Sequence, residues 1–347
     1  MQDIIMERRI KSIIFLFLLL SLPIKAQDRF RVMFYNTENF FDCTHDSLKN
    51  DYEFLPNSMH HWTRNRVYEK ALHIAQTITA VGEMTPPALI GLCEVENDSC
   101  MYYLLHRSPL RQMDYQYVMT HSADERGIDV ALLYQRGMFR LLQKDSIRPQ
   151  FPWKSSRPTR DILHVSGLVI TGDTLDVFIC HPPSRMGGLK ASEQARMFVA
   201  AKLRHYADSL MACRQHPQIL IMGDFNDYPD SKSVSDVLDA KEPSDSISPH
   251  RLYDLMTDKI KDKSFGTYKY HGEWNILDQI IVSGSLLLPH AAMHTSKADA
   301  HIANFSFLLE KDEKYFGIKP FRTFYGMKYQ NGYSDHLPVY ADFRLLF

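Results

Sequence analysis

Cysteine is scarce in this sequence: five in 347 residues, with no CxxC pair. That excludes a disulfide-dense small scaffold and a cysteine-rich zinc cluster. Cys93 and Cys180 lie inside apolar runs, where a free thiol behaves as a small hydrophobe, and only Cys43–Cys100 is conceivable as a bridge. An excess of either charge is also missing. Lys and Arg number 40 against 41 Asp and Glu, for a net charge of −1. This excludes a polycation built to coat nucleic acid but leaves room for a local basic patch. There is no internal repeat and no linker rich in Gly, Ser or Pro. What the chain does have, 45% hydrophobic residues with 15 Gly and 17 Pro, is enough apolar material for a packed core, not a disordered or collagenous chain.

The longest apolar run, residues 13–20, follows Arg8, Arg9 and Lys11 and leads to Pro23 and Ala26. A positive flank, a short apolar stretch and a small-residue exit describe a secretory signal peptide over 1–26. The run is about half the ~20 residues that span a bilayer, so a retained anchor is the weaker alternative. Removing it leaves 36 basic and 39 acidic residues. The expectation is one domain over 27–347, exported to the periplasm or the exterior, with no stable membrane anchor and no obligate protein partner.

Short runs rich in Val, Ile, Leu, Phe and Tyr predict strands at 30–35, 88–92, 117–120, 130–133, 139–142, 163–170, 175–180, 219–222, 279–282 and 339–343. Helical spacing appears twice. Val67, Ala71, Ile74, Ile78 and Val81 form one stripe in 65–81, and Ala195, Val199, Leu203, Tyr206 and Leu210 another in 190–213. Many strands and few helices in mixed order predict a layered α/β or α+β fold. Segments 42–61 and 283–333 exceed ordinary loop length and are expected to carry local structure or substrate contacts. The aromatic residues Phe305, Phe307, Phe316, Phe321, Phe324 and Tyr325 read as the core of the second segment, and His60-His61 as a solvated loop.

The chemistry collects where apolar strands end. Residues 30–35 run into Asn36, 88–92 through Cys93 into Glu94, 175–180 into His181, and 219–222 into Gly223-Asp224-Phe225-Asn226. Ser334-Asp335-His336 directly precedes the last strand. One Asp after a strand is only a turn former, but five such junctions suit a site, because a sheet fixes positions and its loops tolerate polarity. If they converge, Glu94, Asp224 and Asp335 share a pocket. At ~4 Å and an effective dielectric of about 20, each close pair of carboxylates repels by ~4 kcal/mol, so a cation or bound protons must offset them. Oxygen ligands without a Cys/His cluster favour Mg²⁺, with Mn²⁺ and Ca²⁺ as alternatives. A hard cation, a water-activating carboxylate and positively charged histidines point to phosphate-ester hydrolysis.

The segments MFYN (33–36), IGLCEV (90–95), GIDVALLY (127–134), HPPSR (181–185), GDFN (223–226), LDQIIVS (277–283) and SDHLPV (334–339) resemble the endonuclease/exonuclease/phosphatase superfamily. Its members include deoxyribonucleases, apurinic-site endonucleases, inositol-polyphosphate phosphatases and neutral sphingomyelinases. The resemblance implies an α/β four-layer sandwich: two mixed, mostly antiparallel sheets packed face to face and flanked by helices.

By position, Glu94 matches the metal-binding acid, assisted by Asn36, and Asp335 the acid that holds metal or its waters. Asp224 matches the residue that orients or deprotonates the attacking water, and Asn226 the amide that positions it. His336 and His181 match the phosphate-side histidines, with Asp278 pairing the far nitrogen of His336. Asp129 either orients His181 or is an ordinary strand-start acid. Arg160 and Arg185 resemble phosphate-binding arginines and are alternatively solvated charges; Arg322, Lys328 and Tyr333 lie where they could line the substrate mouth. Cys180 stands where related sequences commonly carry Asn. The expected substrate is a phosphate ester, with nucleic-acid phosphodiesters leading. Small or lipid phosphates of the inositol phosphate or sphingomyelin type, and a non-catalytic binding module, are the alternatives.

Overall fold

The computed structural model describes residues 29–153 and 157–347; the expected signal segment, 1–26, lies outside the described residues. Two seven-stranded sheets dominate. The first runs β14 (Met293–His294), β20 (Val339–Leu345), β1 (Arg29–Phe40), β2 (Leu89–Val95), β4 (Asp129–Gln135), β3 (Tyr115–Met119), with β15 (Ala300–Ile302) also pairing β20. The second runs β5 (Phe139–Ile147), β6 (Ile162–Val169), β7 (Thr174–Cys180), β8 (Gln218–Asp224), β13 (Asp278–Ser283), β10 (Leu252–Asp254), β9 (Ala240–Lys241). The pairs β1–β2, β7–β8 and β9–β10 are parallel and the remainder antiparallel.

Alternation along the strands explains the layering. On β1, Phe30, Val32 and Phe34 enter the core between the sheets, while Met33 and Tyr35 face the other way into a second core. On β8, Leu220 and Met222 face the first core and Ile219 and Ile221 a third. Both faces are buried, so these strands read as unbroken apolar runs instead of alternating ones. Helices α1 (Arg64–Gly82) and α2 (Asp98–His106) cover the first sheet, and α3 (Leu189–Cys213) covers the second. This is the four-layer arrangement the sequence resemblance implies.

Two local features depart from the sequence reading. Helix α2 has too short an apolar stripe to be read from spacing; Asn97 caps it, accepting from the backbone N–H groups of Ser99 and Cys100. The buried stripe of α3 is Arg196, Val199, Ala200, Leu203, Ala207 and Met211, leaving Tyr206 on the exposed side. It turns because Arg196 is drawn inward to Asp227 at 2.7 Å. All five cysteines are free.

Segment 283–333 carries β14 and β15, the paired β16 (Leu309–Lys311) and β17 (Ile318–Pro320), and the hairpin β18 (Phe324–Tyr325) and β19 (Lys328–Tyr329). Its aromatics do not all form a core. Phe324 is buried, but Phe316 and Tyr325 are exposed. Of the His60-His61 pair, His61 is exposed as expected, whereas His60 is half-buried, its ring 4.3 Å from that of Phe324. Among the described residues, no helix is long and apolar enough to cross a membrane.

Candidate active site

Strand direction brings the polar residues to one edge. The parallel strands β7 and β8 finish together, delivering His181 just beyond one and Asp224 at the end of the other. Strand β13 starts at that edge and runs back, so Asp278 lies directly opposite Asp224. In the other sheet, β1 and β2 are parallel and carry Asn36 and Glu94. Pairing slips between Asn36 and Phe40 on β1 and between Cys93 and Val95 on β2. Such bulges re-aim a side chain without ending the strand. Glu94 sits at the bulge with φ 59°, and Glu38, Asn39 and Asn226 are also left-handed, at 49°, 56° and 52°. Four non-glycine residues in that region around one site mark stored backbone strain. Ser334 anchors the last loop by donating to the Asn36 carbonyl at 2.7 Å, which sets His336 beside the other strand ends.

The result is a cleft of about 720 Å³ lined by Asn36, Glu94, His181, Arg185, Asp224, Asn226, Asp335 and His336. Asp224 is its floor. The Asn36 amide donates to Asp224 Oδ2 at 3.0 Å, and the Asn226 backbone N–H to Oδ1 at 2.9 Å. His181 Nε2 and His336 Nε2 stand 3.7 and 3.6 Å from the same Oδ2. On the far side of its ring, His336 Nδ1 contacts Asp278 Oδ2 at 2.8 Å, which fixes the ring's orientation.

The two histidines differ electrically. Burial disfavours the imidazolium of His336, but Asp278 and Asp224 outweigh it and hold the ring protonated well above the ordinary histidine range. His181 is driven well below that range by burial, then by the positive charges of Arg160, Arg126 and His336. It is a neutral hydrogen-bonding group, not the second cation expected from sequence. Burial also pushes Asp224 up to about 7; Asp278 adds to the rise and His336 opposes it. A buried carboxylate titrating there is matched to proton transfer near neutral pH.

Asp224, Asp278 and His336 each offer one ligand atom within 4.8 Å. The His336 ring already stands between the two acids, hydrogen-bonded to Asp278 through Nδ1 and 3.6 Å from Asp224 through Nε2, so the three form an acid–imidazolium–acid unit. The better cation donors are on the opposite wall. Glu94 Oε2 accepts from the Asn39 N–H at 2.9 Å, and Oε1 has Arg126 at 3.8 Å. Asn36 Oδ1 accepts from the Glu38 N–H at 2.9 Å, and Asp335 Oδ2 accepts from Arg322 at 3.0 Å. Glu94, Asn36 and Asp335 present only oxygens, a donor set that fits a hard divalent cation.

Two sequence candidates are elsewhere. Arg160 is buried and does not line the cleft; its guanidinium donates to the carbonyls of His181 and Pro182 and to Asp124. It is a strut under the His181 loop. Asp129 does not orient His181: its Oδ1 is taken by Thr120 and the Ser122 N–H, and His181 Nδ1 has no hydrogen-bond partner among the described residues. Arg185 does reach the cleft, stacked over Tyr228 at 4.7 Å and donating to the Asn226 carbonyl at 2.7 Å. Sequence reading missed Arg126 and Tyr268, whose ring lies 4.7 Å from that of His336. Arg126 had one faint signal, its place beside the Gly127-Ile128-Asp129 motif; Tyr268 had none.

Residues 31–344 match the Endonuclease/Exonuclease/phosphatase family. The chain belongs to that family. Members are phosphoesterases, enzymes that use divalent metals, and by family this protein is one of them. No curated protein matches its sequence. Among solved structures, an endonuclease/exonuclease/phosphatase family protein from Bacteroides thetaiotaomicron is similar at 15% identity and TM-score 0.58, over 92% of this chain and 98% of that one. D. rerio TDP2 complexed with single strand DNA product gives 14% and 0.55, over 92% and 100%. The human Nocturnin catalytic domain with bound sulfate anion gives 15% and 0.52, over 93% and 97%. At these identities the likeness is one of fold.

Proposed function

We propose that this endonuclease/exonuclease/phosphatase family enzyme is a divalent-metal-dependent nuclease that hydrolyses phosphodiester bonds of DNA or RNA. The observation that carries the reading is the convergence on Asp224 Oδ2 of the Asn36 amide and two imidazole Nε2 atoms, within 3.0–3.7 Å, opposite the oxygen wall of Glu94 and Asp335. Asp224 orients the attacking water and takes its proton, with Asn226 positioning that water. The imidazolium of His336 and the Nε2–H of neutral His181 donate to the phosphoryl oxygens as negative charge develops there. Asp278 is a positioning residue that keeps the His336 ring aimed and charged. Arg185, at the rim, holds a flanking phosphate, for which its planar fork is suited. Glu94, Asn36 and Asp335 would hold Mg²⁺, which when bound neutralises phosphate charge and assists the leaving oxygen.

We further propose that 27–347 is the catalytic domain and 1–26 an export signal, placing the enzyme in the periplasm or outside the cell; the basic flank and short apolar run support this. The deciding assay presents plasmid DNA, RNA, bis-p-nitrophenyl phosphate, p-nitrophenyl phosphate and sphingomyelin, each with Mg²⁺ and with EDTA. Metal-dependent cleavage of DNA or RNA that Asp224→Ala abolishes is the expected result. Turnover confined to the monoester or to sphingomyelin would overturn the nuclease assignment.

A further inference from the structure

The cleft does not end at Asp335. Beside it, a smaller recess of about 240 Å³ shares Tyr268, Tyr270 and Asp335 with the cleft wall. Its sides are the hairpin of β11 (Tyr268–Tyr270) and β12 (Glu273–Asn275) and the β16–β19 segment. It is smaller than the ~300–1,000 Å³ of sites for drug-sized ligands and open to solvent along its exposed tyrosines.

The recess is unusual in what it exposes. Tyr270 is 57% exposed, Tyr325 53% and Tyr315 38%. Tyr270 stacks on His271 at 4.1 Å with planes 10° apart and runs parallel to Tyr268 at 6.4 Å, so the exposed rings continue those of the cleft wall. Each outer ring carries an ammonium: Lys314 lies 4.9 Å from the Tyr315 centroid and Lys319 4.8 Å from that of Tyr325. Lys319 shares its charge with Glu310 at 3.4 Å. Asp312 also lines the recess, but it is neutralised by Lys269 at 2.9 Å.

The platform is preformed. The Lys269 side chain is covered and ties the hairpin to segment 309–320 by donating to the carbonyls of Phe316 and Ile318 at 3.0 and 3.1 Å. The turn residues His271 and Gly272 have φ of 49° and 88°, the left-handed pair of a tight two-residue hairpin turn. A Cβ on Gly272 would sit 3.0 Å from Tyr315 Cβ, so glycine lets the two halves close.

Exposed rings alternating with ammonium groups are what an unpaired nucleotide strand requires: a π-face for each base and a cation for each phosphate. A base-paired duplex hides its ring faces and gains only the cations. We propose that this recess is a stacking subsite that holds unpaired nucleotides of a single-stranded substrate next to the bond cut in the cleft. The proposal rests on the nuclease reading above but is tested by binding alone.

The measurement is fluorescence anisotropy of labelled oligothymidylate with the full chain in EDTA, where no cleavage intervenes. Tyr315→Ala with Tyr325→Ala should weaken binding roughly tenfold or more, and Tyr→Phe at both positions should retain it, because the ring and not the hydroxyl does the work. Lys314→Ala should lower the slope of log K against log salt by about 0.7, the value for one phosphate contact on a single strand. Equal affinity of the Ala variant and the parent, or equal affinity for a blunt duplex and for oligothymidylate, would overturn the subsite. The two readings fail separately. A protein that cleaves bis-p-nitrophenyl phosphate but does not bind the oligonucleotide loses the subsite and keeps the phosphodiesterase; one that binds through its tyrosines yet cleaves no phosphodiester keeps the subsite and loses the nuclease.

Discussion

Asp278 and Asp224 face each other across the antiparallel β8–β13 pair, and the His336 ring reaches both, at 2.8 and 3.6 Å. Like charges directly opposite on a sheet are destabilising; here the imidazolium between them turns the repulsion into a clamp. Asp278→Asn keeps an acceptor for Nδ1 and removes the charge. The His336 ring, now with one anion fewer, loses its proton at lower pH. Because a raised histidine is charged below its shifted pKa and neutral above it, the alkaline fall in kcat should move to lower pH in the variant. Loss of an orienting carboxylate behind a functional histidine costs about 10–100-fold, so kcat should fall by that order. A pH–rate profile on bis-p-nitrophenyl phosphate reads both effects, and an unmoved alkaline limb would remove Asp278 from its positioning role.

Buried Asp254 gives a stability prediction unconnected with the cleft. Its Oδ1 accepts from the Met256 N–H at 2.8 Å, while Oδ2 has no hydrogen-bond partner among the described residues. Burial, with a contribution from Asp258, pushes its carboxyl from 3.8 up to about 7. Between those values the folded chain binds a proton the unfolded chain has lost, so stability falls as pH rises through the window and then levels. Asn at 254 keeps the Met256 contact and never ionises. Relative to the parent, Asp254→Asn should gain stability progressively from about pH 4 to about pH 7, reaching at most roughly 4 kcal/mol. Urea unfolding at several pH values measures this; a gain that does not vary with pH would mean the side chain is not a buried acid.

How much of this was open to sequence reading follows from what the residues encode. The runs leading to Asn36, Glu94, His181 and Asp224 are legible because strands buried on both faces are continuously apolar and stop abruptly at polar residues. Pairing is not legible, and it is the parallel β1–β2 and β7–β8 pairs that bring those ends to one edge. The bulge that aims Glu94 leaves no mark in composition, since Glu is not a residue one expects at φ 59°. Arg160 shows the limit for long side chains: its place in the sequence resembles that of a phosphate-binding arginine, but a guanidinium reaches in any direction, and this one turns to backbone carbonyls. In the insert, Phe316 and Tyr325 look like core by type, and only the fold shows that they face solvent.

Gly223 is where packing and chemistry meet. It pairs with Cys180 across the parallel β7–β8 ladder. A Cβ there would overlap the Cys180 carbonyl oxygen and lie 2.7 Å from its Sγ. The oxygen belongs to the backbone and cannot swing aside, so Gly223→Ala must push the two strands apart just before His181 and Asp224. Overpacking of this kind costs about 1–3 kcal/mol. The variant should show that loss in urea unfolding together with a reduced kcat, since both cleft residues are displaced. Full activity in a destabilised variant would show that the strand ends tolerate the shift.

Glu94 is predicted to bear most of the cation affinity. Its Oε2 is held by the Asn39 N–H, while its Oε1 faces the half-exposed Arg126 at 3.8 Å and accepts no hydrogen bond among the described residues, so one carboxylate oxygen is available to an incoming ion. Glu94→Gln preserves size and the Asn39 contact but removes the charge that offsets desolvation of a divalent cation. Activity lost in EDTA should return with Mg²⁺ in the parent at a concentration at least about tenfold lower than in the variant, while the rate at saturating metal falls less steeply than it does for Asp224→Ala, for which ~10²–10³-fold or more is expected. The cation wall and the Asp224 floor are thereby separable: one variant shifts the metal titration, the other lowers its plateau. If Glu94→Gln lowers the plateau without moving the midpoint, the ion is held by other residues and Glu94 serves the chemical step instead.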